Sequence, residues 1–410
     1  MRLPLVTGNW IALVALVALG AALAGCGKKE EPSKNGTDPR GIAIAPPPNL
    51  NPGEVRKDAL SLRQASGKTL FERVSADESG LDFVHRWAPR DEDERELITT
   101  SFAGGGVALG DIDNDGLPDI FLTRPHGGSR LYRNLGGFKF EDITAAVGIE
   151  KALADHWSIS ATFVDIQGDG YLDLYVCGYA TTNLLFVNDG KGRFSERAAE
   201  HGLAFAGASL MMSFADYDRD GDLDLFLGQW KAPYADGAMA TPYYNANDGH
   251  PDYLLRNDGS GTFSDVTESG GLAPLRNRRT FSASFVDLDG DHDLDLVVVA
   301  DFSGLDLYRN RGDGTFENDT ATMVDQRHGF GMSHTIGDWN GDGVLDLYMV
   351  GMSSTTARRL DGLGLGRPGF EKYSEMRAPM TFGNRLYIGD GKGRFALSPY
   401  AASAARTGWA

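Results

Sequence analysis

Carboxylates recur along this 410-residue chain at a spacing suited to holding a hard cation. Five segments follow the pattern D-x-[DNQ]-x-D-[GH]-x-x-D: Asp111, Asp113, Asp115 and Asp119; Asp165, Gln167, Asp169 and Asp173; Asp216, Asp218, Asp220 and Asp224; Asp287, Asp289, Asp291 and Asp295; Asp338, Asn340, Asp342 and Asp346. Calcium takes roughly six to eight oxygens, which a short loop supplies from positions 1, 3 and 5, the carbonyl of position 7 and a further carboxylate. Position 7 is Leu117, Tyr171, Asp222, Asp293 and Val344, and position 9 is Asp in every copy. Up to five calcium ions are therefore expected. Magnesium fits less well, because it demands near-ideal octahedral geometry and keeps its waters. Without a cation the converging carboxylates repel one another, so the loops are expected to loosen when metal is removed.

An EF-hand would need a bidentate Glu at position 12 and a helix on each side. Position 12 is instead Leu122, Val176, Leu227, Val298 and Met349, within apolar runs such as Asp293-Leu-Asp-Leu-Val-Val-Val. One Asp/Gly-rich turn alone reads as a solvated hairpin, but five in one phase read as sites. Loops one, three and four offer four carboxylates, whereas Gln167 and Asn340 leave loops two and five with three, so those two are expected to bind more weakly. Loop four carries His292 where the others carry Gly, a residue less at ease in left-handed backbone.

The formal charge is −18, and five calcium ions would bring it to about −8, so much of the acidity belongs to the loops. No basic footprint for nucleic acid is visible. Arg2, the apolar run 11–22 and Leu23-Ala-Gly-Cys26 read as an export signal ending in a bacterial lipoprotein box, with Cys26 as the lipidated residue. The run is short for a membrane span. Gly27 rather than Asp follows the cysteine, which by resemblance to the usual lipoprotein sorting rule leans toward the outer membrane, so a lipid-anchored, exported envelope protein is expected. Residues 27–69, with Pro46-Pro-Pro, read as a flexible tether. Cys177 lies in the apolar run Leu174-Tyr-Val-Cys-Gly and is expected to be a buried free thiol.

The ladders start 54, 51, 71 and 51 residues apart, and each repeat parses into four short strands, as in Gly106-Val-Ala-Leu-Gly, Asp119-Ile-Phe-Leu-Thr, Arg130-Leu-Tyr-Arg-Asn and Phe140-Glu-Asp-Ile-Thr. That period and strand count suit the blades of an all-β propeller. Blades are expected at about 103–145, 157–198, 211–268, 281–320 and 331–398, within a domain of residues 70–410. Turns such as Asn188-Asp-Gly-Lys-Gly-Arg-Phe194, between the third and fourth strands, read as structural.

Gly104-Gly-Gly-Val-Ala-Leu-Gly-Asp-Ile-Asp-Asn-Asp-Gly, the Leu-Tyr-Arg-Asn strands and the Phe-x-Asp-Val-Thr endings resemble FG-GAP/VCBS repeats, in particular those of the cartilage acidic protein and ASPIC/UnbV group. The resemblance implies calcium in the first-to-second strand loops and seven blades in the intact protein, and it carries no catalytic residues. Five complete blades are visible. Phe71-Glu-Arg-Val-Ser matches a fourth strand and Arg406-Thr-Gly-Trp-Ala the opening of a first strand, so a fragment of a longer reading frame is expected.

Long insertions at 229–252 and 351–384 fall between second and third strands, on the face opposite the metal loops. Trp230, Tyr243 and Tyr244 in the first, with Arg358 and Arg359 in the second, are the expected ligand surface for a protein or an acidic glycan. The chain is thus expected to be a calcium-binding, lipid-anchored interaction module. The alternative is a lyase-like enzyme acting on polysaccharide through His156 or His334. No nucleophile elbow, zinc motif or phosphate loop accompanies those histidines.

Overall fold

The computed structural model describes residues 73–86, 89, 95, 104–231, 240–366, 368–400 and 405. The export signal, Cys26, the tether, Arg367, the segment 406–410 and the first two residues of the segment 71–75 lie outside the described residues. The chain divides into two units, Met1–Val74 and Ser75–Ala410, and every described strand belongs to the second.

Among the described residues, twenty strands group into fours. Blade one holds β1 (Val107–Gly110), β2 (Asp119–Leu122), β3 (Arg130–Asn134) and β4 (Phe140–Asp142). Blade two holds β5 (Ser158–Val164), β6 (Asp173–Thr182), β7 (Leu184–Asn188) and β8 (Phe194–Glu196). Blade three holds β9 (Ala206–Ala215), β10 (Asp224–Gln229), β11 (Tyr253–Asn257) and β12 (Phe263–Asp265). Blade four holds β13 (Arg279–Val286), β14 (Asp295–Asp301), β15 (Gly304–Asn310) and β16 (Phe316–Asn318), and blade five holds β17 (Gly331–Gly337), β18 (Asp346–Gly351), β19 (Arg385–Gly389) and β20 (Phe395–Leu397). Strands within each blade pair antiparallel in chain order, the all-β arrangement that the sequence implies.

Blade three opens at Ala206 where the sequence pattern suggests 211. The cause is a forked strand. β6 runs past the end of β5, and its segment from Tyr179 to Thr182 pairs with Ala206–Ala208 of β9, which joins blades two and three into one sheet.

Middle strands such as β10 and β14 are buried at every position, which explains their unbroken apolar runs. Their two faces are covered by neighbouring blades, so the cores lie between sheets. Phe121 and Leu131 of blade one meet Leu174 and Phe186 of blade two; Tyr175 and Leu185 meet Leu225 and Leu255 of blade three. Phe226 and Leu254 then meet Leu296 and Tyr308 of blade four, and Val297 and Leu307 meet Leu347 and Tyr387 of blade five. Full burial of one such side chain contributes about 1.5–3 kcal/mol.

A polar latch accompanies each of three junctions. The buried side-chain amides of Asn188, Asn257 and Asn310 donate across the blade boundary to the carbonyls of Ile112, Ile166 and Tyr217, each at 2.9 Å. The acceptor is always position 2 of the preceding carboxylate loop. Blade five has Gly389 at the equivalent place and lacks the side chain for this bond.

Gly80, which follows the helix Ala76–Ser79, has φ of 77°, and a Cβ there would stand 2.2 Å from the Phe140 carbonyl oxygen of β4. Gly202 and Gly271 approach the carbonyls of Phe263 and Phe316 in the same way, at 2.4 and 2.3 Å. Residues 75–80 therefore stand against blade one as the turns after β8 and β12 stand against blades three and four.

First strands of successive blades touch in chain order, from β1 through β5, β9 and β13 to β17. Side chains tie this row: the Ser160 hydroxyl donates to the Leu210 carbonyl at 2.9 Å, and the His334 ring lies between the hydroxyls of Ser282 and Ser284, 3.0 Å from each. His156 is likewise engaged at both nitrogens, with the Ser158 hydroxyl and the Thr182 carbonyl at 2.8 Å each. Cys177 is a buried free thiol, pushed up to about 12 by burial.

Two outcomes follow from these contacts. Asn257→Ala removes a buried donor and leaves the Ile166 carbonyl unpaired, so denaturant unfolding should show a loss of about 1–3 kcal/mol; an unchanged midpoint contradicts the latch. Burial lowers the His334 pKa from its ordinary 6.5 to about 4. The stability this group contributes is present above pH 6.5 and is lost as pH falls toward 4, because the unfolded chain takes up the proton first. The non-titrating variant H334Q should therefore gain on the parent chain between pH 7 and pH 5, and a pH-independent difference contradicts it.

Candidate metal centre

Each carboxylate ladder forms the turn between the first and second strands of a blade, and its shape is set by two left-handed residues. Position 4 has φ of 58° at Asn114, 67° at Gly168, 62° at Arg219, 80° at Gly290 and 76° at Gly341. Position 6 has 86° at Gly116, 87° at Gly170, 102° at Gly221, 75° at His292 and 87° at Gly343. The sequence pattern marks position 6 only, because Asn114 and Arg219 conceal the demand at position 4. His292 keeps the left-handed geometry, and its exposed ring stands 3.7 Å from Asp287 Oδ2.

This backbone aims N–H groups at the carboxylates. Oδ2 of position 1 accepts from the position 6 N–H in all five loops: Gly116 to Asp111 at 2.8 Å, Gly170 to Asp165 at 2.8 Å, Gly221 to Asp216 at 3.1 Å, His292 to Asp287 at 3.0 Å and Gly343 to Asp338 at 2.9 Å. Position 5 accepts from the position 7 N–H, with distances of 2.8 Å for Asp115, 2.9 Å for Asp169, 3.1 Å for Asp220, 2.9 Å for Asp291 and 2.8 Å for Asp342. The peptides of Leu117, Tyr171, Asp222, Asp293 and Val344 are fixed in this way.

Position 9 opens the second strand and is buried in every blade, at Asp119, Asp173, Asp224, Asp295 and Asp346. One of its oxygens accepts from the last residue of the third strand: Asn134, Asn188, Asn257, Asn310 or Gly389. The other accepts from the position 2 N–H of Ile112, Ile166, Leu288 or Trp339. These side chains therefore clasp the loop to the blade, a role that the ligand spacing does not reveal. Each oxygen keeps a second lone pair, so the clasp leaves ligation open. Burial is the main cause that raises Asp173 and Asp224 to about 7 and Asp295 to about 6, against the pull of these N–H bonds.

Loop three departs from the pattern. The Tyr217 N–H faces Asp224 and pulls against the rise that burial causes in its pKa, but no well-formed hydrogen bond is made, so Asp224 Oδ2 is buried without a hydrogen-bond partner, as is Asp216 Oδ1. Ligand oxygens of Asp216, Asp218 and Asp224 all lie within 4.8 Å of one another. The same holds for Asp111, Asp113 and Asp115 in loop one and for Asp287, Asp289 and Asp291 in loop four. Buried carboxylate oxygens without donors are costly, and a hard divalent cation is the partner that an all-oxygen set accommodates. The residues fit calcium.

The expected ligand surface is altered. Trp230 is 1% exposed and lies against Phe281, so it belongs to the core beneath the insertion and leaves that surface. The Tyr243 hydroxyl donates to the Tyr373 carbonyl at 2.5 Å, and both Tyr243 and Tyr244 meet the Tyr373 ring. The two insertions thus pack on each other. Arg358 and Arg359 remain exposed on the helix Thr355–Gly362, beside exposed Leu363, Leu365 and Phe370.

The sequence matches the FG-GAP-like repeat at residues 111–176, 165–227, 243–298 and 287–349. Three of these matches begin on position 1 of a ladder and end on position 12 of the next. Cartilage acidic protein 1 of Xenopus tropicalis is 25% identical over 209 residues, which is 50% of this chain and 30% of that relative. Cartilage acidic protein 1 of Homo sapiens is 24% identical over 299 residues, 65% of this chain and 40% of the relative. The chain thus spans well under half the length of these relatives. An Agrocybe aegerita lectin specific for non-reducing terminal N-acetylglucosamine superposes with a TM-score of 0.41 at 17% identity, covering 75% of this chain and 68% of the lectin. The Vibrio cholerae biofilm matrix protein Bap1 gives 0.38 at 14% identity, covering 72% and 38%. With repeat matches over more than half of its residues, anchored on the ladders that form the turns of its blades, the chain belongs to the FG-GAP-like repeat family.

Proposed function

We propose that this protein is a calcium-stabilised propeller, exported and held at the cell envelope by a lipid on Cys26, that presents its insertions to a protein or an acidic glycan. The convergence of unpartnered Asp216 Oδ1 and Asp224 Oδ2 in loop three is the observation that carries the metal half of this reading. Calcium would be held by positions 1, 3, 5 and 9 of each loop, with the position 7 carbonyl, and would neutralise carboxylates that burial otherwise penalises. Its contribution is structural. The chain's own residues supply the clasp, the left-handed turns and the insertion surface. The lipoprotein box and the likeness to cartilage acidic protein 1 support a location outside the cytoplasm. Exposed Arg358 and Arg359 on an otherwise acidic chain support an anionic partner.

Thermal melting and calorimetry of the full chain test this reading. Calcium should raise the melting temperature above that in chelator, with uptake of up to five ions, and D216N/D218N should remove one ion. Melting that ignores chelator, with no heat of binding, contradicts the calcium assignment. On a column of acidic polysaccharide, R358A/R359A should lose the retention of the parent chain; equal retention contradicts the proposed surface.

A further inference from the structure

The five loops differ at position 3, and the third strand of each blade differs with them. Where position 3 is aspartate, the residue before the last of the third strand is arginine: Asp113 with Arg133 on β3, Asp218 with Arg256 on β11, Asp289 with Arg309 on β15. Where position 3 is an uncharged amide, that residue is aliphatic: Gln167 with Val187 on β7, Asn340 with Ile388 on β19. The correspondence holds in all five blades. Arg133 Nε stands 3.1 Å from Asp113 Oδ2, and Arg309 is paired with Asp289. Arg256 holds the same place on β11, one residue before the Asn257 that bonds Asp224.

Counted over positions 1, 3, 5 and 9, four carboxylates offset by one guanidinium leave loops one, three and four at a net −3, and loops two and five reach the same −3 with three carboxylates and no arginine at that strand position. Position 7 adds Asp293, which is paired with Arg219 from loop three, and Asp222, which leaves loop three one charge more negative than the other four. Arg309 also donates to Asp319 at 3.0 Å, a second anchor that remains if Asp289 is taken by a metal.

Resting on the calcium reading above, we infer that Arg133, Arg256 and Arg309 are resident counterions of the metal loops: each neutralises the position 3 carboxylate until a divalent cation displaces it, and so sets the affinity of its loop. Coulomb interaction with a guanidinium falls on the approaching cation as a repulsion, so the fourth carboxylate of these loops gains less than its charge suggests. The affinities of loops one, two, four and five are then drawn together, in place of the two-tier ranking that counting carboxylates implies, and loop three with Asp222 stands above them.

Calcium titration of the full chain, followed by calorimetry and by competition with a chelator of known affinity, tests the inference. R133M/R256M/R309M should bind three of its ions about tenfold more tightly than the parent chain, and should melt lower than the parent in chelator, where the carboxylates face one another unscreened. I388R should weaken one ion by a similar factor. R309M alone repeats the comparison at one loop should the triple variant not fold. Parent-like affinities in these variants, with ion uptake intact, overturn the counterion role and leave the calcium reading standing. No uptake by the parent chain overturns both.

Discussion

Backbone N–H groups directed at carboxylates in the turn between the first and second strands are the interaction on which this fold rests. The position 9 aspartate makes the case most clearly. It is buried at the start of the second strand, and in loop one it accepts from Ile112 at 3.0 Å and Asn134 at 2.8 Å, so a single side chain joins the loop, the second strand and the third. A charged group so placed carries a desolvation cost that only its bonds and a nearby cation can offset. Structure and the proposed metal affinity would thereby be coupled through the same atoms.

Three of the loops are also where one blade is tied to the next. In loops one, two and three the position 2 carbonyl that follows the first aspartate receives the asparagine latch of the following blade, and the apolar cores lie between sheets. Disturbing one of these loops therefore reaches the blade boundary, which would give an ion bound there leverage over more than its own turn. The outer strands, with only their leading Phe buried in β8, β12 and β16, take little part in this coupling.

Much of this was legible in the residue pattern. The ladders, their period, the four strands per repeat and the glycine at position 6 are local features with fixed spacing, and local chemistry dictates them. What escaped depends on register between strands. The pairing of Asp113 with Arg133 spans twenty residues and becomes visible only when β2 and β3 are aligned. The fork of β6 toward β9 and the burial of Trp230 against Phe281 arise from neighbouring blades, which no periodicity within one repeat encodes. Position 4 escaped for another reason: glycine there is replaced by Asn114 and Arg219, so the left-handed backbone has no constant residue to announce it.

Long-wavelength anomalous diffraction from crystals of the full chain grown in calcium addresses the central claim most directly. An anomalous peak is expected within each of the five turns, bounded by the carboxylates of positions 1, 5 and 9 and, in loop three, in contact with Asp216 Oδ1 and Asp224 Oδ2. Turns filled by water alone, with those two oxygens satisfied by solvent, would contradict it.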